Sequence, residues 1–241
     1  MIPLFPRAHW RGSRAESGSV PDVRVKICGL MRPRDARHAA DAGADYLGAI
    51  LSEGFGRSVS AVLARKFAQP GGPPLVAVFV DEPTGDAVAK ARQVSASVLQ
   101  LHGNESPAFV DELRREGNWA LWKVVRPRFA EELLRAVDSY AEYADALLLD
   151  GWHREFSGGG GTRFPWEVIE EIRAQLPSGL ALVIAGGLTP DTVAEAVARL
   201  TPDVVDVSSG VESVPRQKDV AKVEAFIRAA RATSGAGSAR A

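Results

Sequence analysis

Cys28 closes a short apolar run, Val23–Cys28, and Gly29 follows it. Asp150 closes another, Ala146–Leu149 plus the acid, and Gly151 follows. A thiol and a carboxylate placed alike at the ends of two such runs could act as an acid–base pair: one takes a proton from carbon while the other gives one to oxygen. Each residue also has a plainer explanation. A free cysteine is usually a small buried hydrophobe, and it becomes reactive only with access and a lowered thiol pKa. A carboxylate after an apolar run must reach solvent, a partner or a substrate, and a cap or a loop ion pair satisfies that need too.

Two glycine-rich stretches suggest an anion. Ile184-Ala185-Gly186-Gly187-Leu188-Thr189-Pro190 follows the seventh apolar run, and Val207-Ser208-Ser209-Gly210-Val211-Glu212 spans the end of the eighth. At Gly186, Gly187 and Gly210 a backbone could approach a phosphate closely, with Ser209 beside them; tight turns alone would also explain the glycines. Arg57 lies in a Gly-containing loop, Glu53–Ser60, where a guanidinium could grip a carboxylate bidentately or simply be solvated. His102, in Leu-Gln-Leu-His-Gly, is open to a structural hydrogen bond or to substrate contact. Lys26 and Lys123 lie within apolar runs, and would be the candidates if the chemistry required a catalytic lysine. The run Gly158–Gly161 could be a hinge or a loop that folds over substrate.

These residues need elements to position them. Eight apolar runs predict strands at Val23–Cys28, Tyr46–Leu51, Leu75–Val80, Ser97–Leu101, Ala120–Val125, Ala146–Leu149, Ala181–Ala185 and Val204–Val207. Most are continuously apolar, as strands covered on both faces are. The segments between predict helices over Pro33–Ala42, Ser60–Gln69, Thr84–Ser95, Ser106–Gly117, Phe129–Val137, Trp166–Leu176, Thr192–Leu200 and Lys218–Ala230, with Ser106 as an N-cap. Eight strand–helix repeats predict a single α/β domain, a (β/α)8 TIM barrel of eight parallel strands with outer helices. An open doubly wound sheet is the competing architecture, but no Gly-x-Gly-x-x-Gly follows the first strand. In a barrel the strand ends and the following loops build the active site, and the loops after strands seven and eight often bind phosphate. The barrel is expected over 23–232, behind a flexible extension at 1–22 rich in Ser, Gly, Arg and Pro and before a disordered tail at 233–241.

Composition narrows the partners. The chain has 241 residues, 46% of them hydrophobic, and 29 basic against 30 acidic side chains. A net charge of -1 gives no global attraction to nucleic acid or to an anionic membrane. The lone Cys28 cannot form an internal disulfide, no Cys/His cluster has zinc-ligand spacing, and no apolar run is long enough to span a bilayer. A cytoplasmic protein without metal or cofactor is expected, acting on a small phosphorylated molecule. A closed barrel has no sheet edge to cover, so a monomer is expected.

The ordered set Lys26-Ile27-Cys28-Gly29-Leu30, Gln100-Leu101-His102-Gly103-Asn104-Glu105, Leu147-Leu148-Leu149-Asp150, Ala185-Gly186-Gly187-Leu188 and Asp206-Val207-Ser208-Ser209-Gly210-Val211-Glu212, with Lys218-Asp219 behind it, resembles the phosphoribosylanthranilate isomerases of tryptophan biosynthesis. The resemblance runs from about Val23 to Arg231 in the family's order. It implies an Amadori rearrangement of N-(5-phosphoribosyl)anthranilate to the 1-deoxyribulose 5-phosphate derivative, with no cofactor. Asp150 matches the general acid that opens the ribose ring, and Cys28 the general base that takes the proton from the second sugar carbon. Arg57 matches the arginine that holds the anthranilate carboxylate, and His102 is expected beside it in the substrate site. Gly186, Gly187, Ser209 and Gly210 match the phosphate loops. The chain departs from the family pattern at Gly151, Gly160, Pro165 and in the loop Ser52–Ser58. Two other activities fit the same fold: another sugar-phosphate enzyme (epimerase, synthase or decarboxylase), or a regulatory barrel that binds a phosphorylated ligand without turnover.

Overall fold

The computed structural model describes residues 23–151 and 165–232. The extension at 1–22, the Gly158–Gly161 loop and the tail at 233–241 lie outside the described residues.

Eight parallel strands close on themselves: β1 Arg24–Ile27, β2 Tyr46–Ile50, β3 Leu75–Phe79, β4 Val98–Leu101, β5 Ala120–Val125, β6 Ala146–Leu149, β7 Ala181–Ile184 and β8 Val204–Val207. β1 pairs with β8 in the register Lys26 to Asp206 and Ile27 to Val207, which completes the barrel. Around it lie α1 Pro33–Asp41, α2 Ala61–Ala64, α3 Thr84–Val94, α4 Pro107–Glu116, α5 Ala130–Tyr140, α6 Glu167–Ile172, α7 Val193–Leu200 and α8 Val220–Ala232. The expected barrel is therefore present, and every predicted strand has its counterpart.

Local chemistry sets the helix ends. Ser106 caps α4 by accepting the Phe109 N–H at 3.3 Å, and Pro107 fills the first turn, where its missing donor costs nothing. Two helices are shorter than their apolar patterns suggest. α2 and α6 give way to 3-10 turns at Arg65–Phe67 and Arg173–Gln175, because Gln69 and Leu176 each precede a proline that disfavours helical backbone. The last helix starts at Val220 and not at Lys218. Lys218 belongs instead to a small antiparallel pair, β9 Glu212–Val214 with β10 Gln217–Lys218, and Asp219 caps α8 by accepting the Lys222 N–H at 3.0 Å.

Side-chain alternation divides the core in two. Residues such as Val25, Ile27, Leu99, Leu101, Leu147 and Leu149 face the helices. Tyr46, Val76, Val78, Trp122, Val124, Leu148 and Val183 fill the barrel, with Cys28 at one end of that cluster. Three aspartates staple the opposite end. Asp45, Asp145 and Asp203, each just before an even-numbered strand, accept the backbone N–H of Val25, Leu121 and Leu182 at 2.7, 2.8 and 2.8 Å. Each carboxylate thus satisfies a strand-edge donor of its neighbour, leaving the end of the barrel where the strands finish free for other work. Among the described residues no helix is long and apolar enough to cross a membrane.

Candidate active site

β1 and β4 carry polar residues into an otherwise apolar interior. Lys26 is 0% exposed and Gln100 1%, and Cys28 and His102 stand two residues further along their strands, on the same inward face. The Lys26 ammonium reaches across the barrel. It donates to Gln100 Oε1 at 2.8 Å and to Asp206 Oδ2 on β8 at 2.9 Å. Gln100 Nε2 lies 2.9 Å from His102 Nδ1, and His102 Nε2 lies 3.4 Å from Asp150 Oδ2. A continuous polar chain therefore crosses the barrel from β8 through β1 and β4 to the residue that follows β6.

Asp150 is shaped from two sides. The Gly151 N–H donates to its Oδ1 at 2.8 Å. Gly186 lies against it with φ +78°, and a Cβ there would fall 2.5 Å from the Gly151 nitrogen and 2.9 Å from Asp150 Oδ1. Only glycine fits that approach. Burial pushes the Asp150 carboxyl upward, but the hydrogen bond from His102, the charge of the Arg126 guanidinium and the Gly151 N–H outweigh it and hold the group below the usual aspartate range. Cys28 goes the other way. Burial pushes its thiol up, Lys26 pulls it down, the Asp206 carboxylate pushes it up again, and the net lies above the usual cysteine range. The site thus favours a thiol and a carboxylate.

Arg57 comes from the loop after β2 to lie beside Cys28. Its side chain packs on Gly29, where a Cβ would fall 2.7 Å from Arg57 Cδ. Its guanidinium donates to both oxygens of Glu212, Nε at 2.8 Å and Nη2 at 2.7 Å. Lys218 joins the same carboxylate at 3.1 Å and donates to the Ser208 carbonyl at 2.9 Å. Burial raises the Glu212 carboxyl, but Arg57, Lys218 and the Arg216 N–H overcome that and bring it down to about 2. The β9–β10 pair thus holds the arginine in place.

Lys123 has a different fate from Lys26. It lies on the opposite face of β5 from Trp122 and Val124, outside the barrel interior. There it donates to Glu105 Oε2 at 2.9 Å and to the Gly103 carbonyl at 2.8 Å. Glu105 in turn accepts the N–H groups of Asp81 and Gly103. This buried group fastens the loops after β3 and β4 and leaves no lysine for substrate there.

The two glycine-rich loops meet. Gly186 and Gly187 have φ of +78° and +66°. Gly210 lies in a 3-10 turn, Ser209–Val211, so close to the Leu188 carbonyl that a Cβ would fall 1.9 Å from its oxygen. Among the described residues the N–H groups of Gly187, Ser209 and Gly210 find no acceptor. Three donors from two touching loops make a cradle suited to an oxyanion. No group of three or more His, Cys, Asp or Glu among the described residues could hold a metal ion.

Gln100, Asp206 and Arg126 were not singled out from the sequence as site residues. Gln100 and Asp206 carry a detectable signal: each is a polar residue inside an apolar strand, at the inward parity that Lys26 shares.

The chain matches the N-(5'phosphoribosyl)anthranilate (PRA) isomerase family over residues 25–229. It is 38% identical to the N-(5'-phosphoribosyl)anthranilate isomerase of a Neisseria meningitidis serogroup B strain, across 88% of this chain and 98% of that protein. The structure of monomers generated from the dimeric phosphoribosylanthranilate isomerase of Thermotoga maritima superposes with a TM-score of 0.75 at 32% identity, covering 87% of this chain and 99% of that one. A second solved isomerase, bound to reduced 1-(o-carboxyphenylamino)-1-deoxyribulose 5-phosphate, gives a TM-score of 0.75 at 31% identity over 87% and 99% of the two chains. On sequence match, length coverage and barrel geometry together, this chain belongs to the N-(5'-phosphoribosyl)anthranilate isomerase family.

Proposed function

We propose that the chain isomerises N-(5-phosphoribosyl)anthranilate to 1-(2-carboxyphenylamino)-1-deoxyribulose 5-phosphate, a step of tryptophan biosynthesis, by acid–base catalysis from Asp150 and Cys28. Asp150 gives a proton to the ribose ring oxygen as the bond from that oxygen to the first sugar carbon breaks, and the nitrogen lone pair forms the Schiff base. Cys28, as thiolate, takes the proton from the second sugar carbon, and the electron pair moves to neutralise the iminium. The resulting enolamine tautomerises to the ketone. No redox partner is required.

What carries the reading is that Cys28 and Asp150 follow their strands at the same end of the barrel of a chain in this family, Cys28 beside Lys26 and Asp150 joined to Lys26 through Gln100 and His102. Arg57, oriented by Glu212, takes the anthranilate carboxylate, and His102 borders the substrate beside Asp150. The cradle of Gly186, Gly187, Ser209 and Gly210 takes the phosphate. The enzyme works without cofactor as a cytoplasmic monomer, with no nucleic-acid partner. Loss of substrate fluorescence on adding purified protein to freshly made phosphoribosylanthranilate tests the activity, and sedimentation tests the monomer. No turnover there, with turnover of another sugar phosphate, would favour the epimerase, synthase or decarboxylase alternative.

A further inference from the structure

The order of donors and acceptors across the barrel is fixed at one end. An ammonium can only donate, so the Gln100 atom 2.8 Å from Lys26 Nζ must be the amide oxygen. The Asp206 carboxylate beside Lys26 keeps it charged at that depth: burial alone would lower it, but the net lies above the usual lysine range. The Gln100 amide cannot flip without turning its NH2 group on the ammonium. Its nitrogen therefore faces His102 Nδ1 at 2.9 Å, and an amide nitrogen can only donate. Nδ1 must accept, so it carries no proton. The one ring proton of His102 then sits on Nε2, the atom 3.4 Å from Asp150 Oδ2.

We propose that Gln100 is a positioning residue: held by Lys26, it keeps His102 neutral and protonated on Nε2, so that Asp150 faces a neutral donor and not an imidazolium. This rests on the reading of Asp150 as the acid that opens the sugar ring. An imidazolium would pair with the carboxylate and stabilise it against protonation; a neutral N–H orients the carboxyl group and leaves it able to take up and deliver a proton.

The charged surroundings of the ring agree. Asp150, after β6, is the acid on the Nε2 side. Arg126, after β5, donates to the His102 carbonyl at 3.1 Å and opposes a second positive charge nearby. Asp81, after β3, accepts the Asn104 N–H, and Glu105 is taken by Lys123. The Nδ1 side offers no carboxylate among these groups, only the Gln100 amide.

Histidine 15N NMR of the wild-type protein is the first test, with the His102 signals assigned by their loss in His102→Asn. The proposal expects a neutral ring in the Nε2–H tautomer at pH 7. An Nδ1–H tautomer, or a ring protonated on both nitrogens, overturns it. Gln100→Glu replaces the donor with an acceptor, and is expected to make His102 an imidazolium at pH 7 and to lower kcat about ten-fold or more, with KM little changed. An unaltered His102 spectrum in a folded Gln100→Glu protein also overturns the proposal. If the imidazolium forms and kcat is unchanged, the tautomer lock stands, and it is the acid role of Asp150 that fails.

Discussion

The Arg57 guanidinium clasps the Glu212 carboxylate with two hydrogen bonds, 2.8 and 2.7 Å long, joining the loop after β2 to the hairpin after β8. The pair is buried, and Lys218 supplies a second cation to the same carboxylate. Removing one partner leaves charge uncompensated, so Glu212→Gln is expected to cost about 3–5 kcal/mol in urea unfolding at pH 7. The pH dependence has a definite sign. The Glu212 carboxyl is depressed to about 2 when folded and sits near ~4.3 when unfolded. Its stabilisation is complete above the unfolded value and is lost as pH falls from there towards 2. Wild type should therefore lose more stability than Glu212→Gln between pH 5 and pH 3, values chosen to bracket that range. Equal losses would show that this carboxylate is not held as described.

Arg57→Lys separates orientation from charge. An ammonium cannot keep the two-pronged grip on Glu212 and still present a planar fork to a carboxylate. KM for phosphoribosylanthranilate is expected to rise about ten-fold or more, with a smaller change in kcat. A fall confined to kcat would place Arg57 in the chemical step instead.

Gly48 is the space into which β1 fits. A Cβ there would lie 2.8 Å from Cys28 Sγ and 3.0 Å from Lys26 Cε. Gly48→Ala is expected to cost about 1–3 kcal/mol by overpacking. Because shifts near 1 Å at a reacting group can cost about 100-fold in rate, kcat should fall far more than the loss of folded protein explains. Wild-type kcat in the Ala variant would mean that Cys28 is not held against β2.

The site holds Asp150 below, and Cys28 above, their ordinary ranges. The reacting form, a protonated acid with a thiolate, has the same total proton count as the resting thiol and carboxylate. Its share of the enzyme is thus constant between the two pKa values. kcat/KM should be flat over mid-range pH, falling only below the usual aspartate value of ~3.9 and above the usual cysteine value of ~8.5. The substrate phosphate, which titrates near ~6, must be allowed for. A steep rise from pH 6 to 8 beyond that correction would contradict the picture.

The barrel was legible because eight apolar runs alternate with amphipathic segments, and each run maps to a strand within a residue or two. The placement of Cys28, Asp150 and His102 at strand ends followed from the same pattern. What could not be read was partnership across sequence distance. The contact of Lys26 with Gln100 spans 74 residues, and that of Arg57 with Glu212 spans 155. Such pairs depend on barrel closure and register, which no local spacing encodes. The hairpin Glu212–Lys218 leaves no local pattern, and its last residue, Lys218, reads as a helix start: its strands are two or three residues long, and ion pairs hold it more than β-propensity does. The helix ends at Ala64 and Ile172 fall short of the apolar pattern, which runs on to Gln69 and Leu176 while the following prolines stop the backbone.

Turnover of freshly generated phosphoribosylanthranilate, followed by loss of fluorescence for wild type beside Cys28→Ser and Asp150→Asn, tests the central claim most directly. Wild type should convert the substrate, and each variant, shown folded by circular dichroism, should lose at least about 100-fold in kcat. An active wild type whose variants retain kcat within a few-fold would contradict the assignment of base and acid. An inactive wild type would contradict the proposed reaction itself.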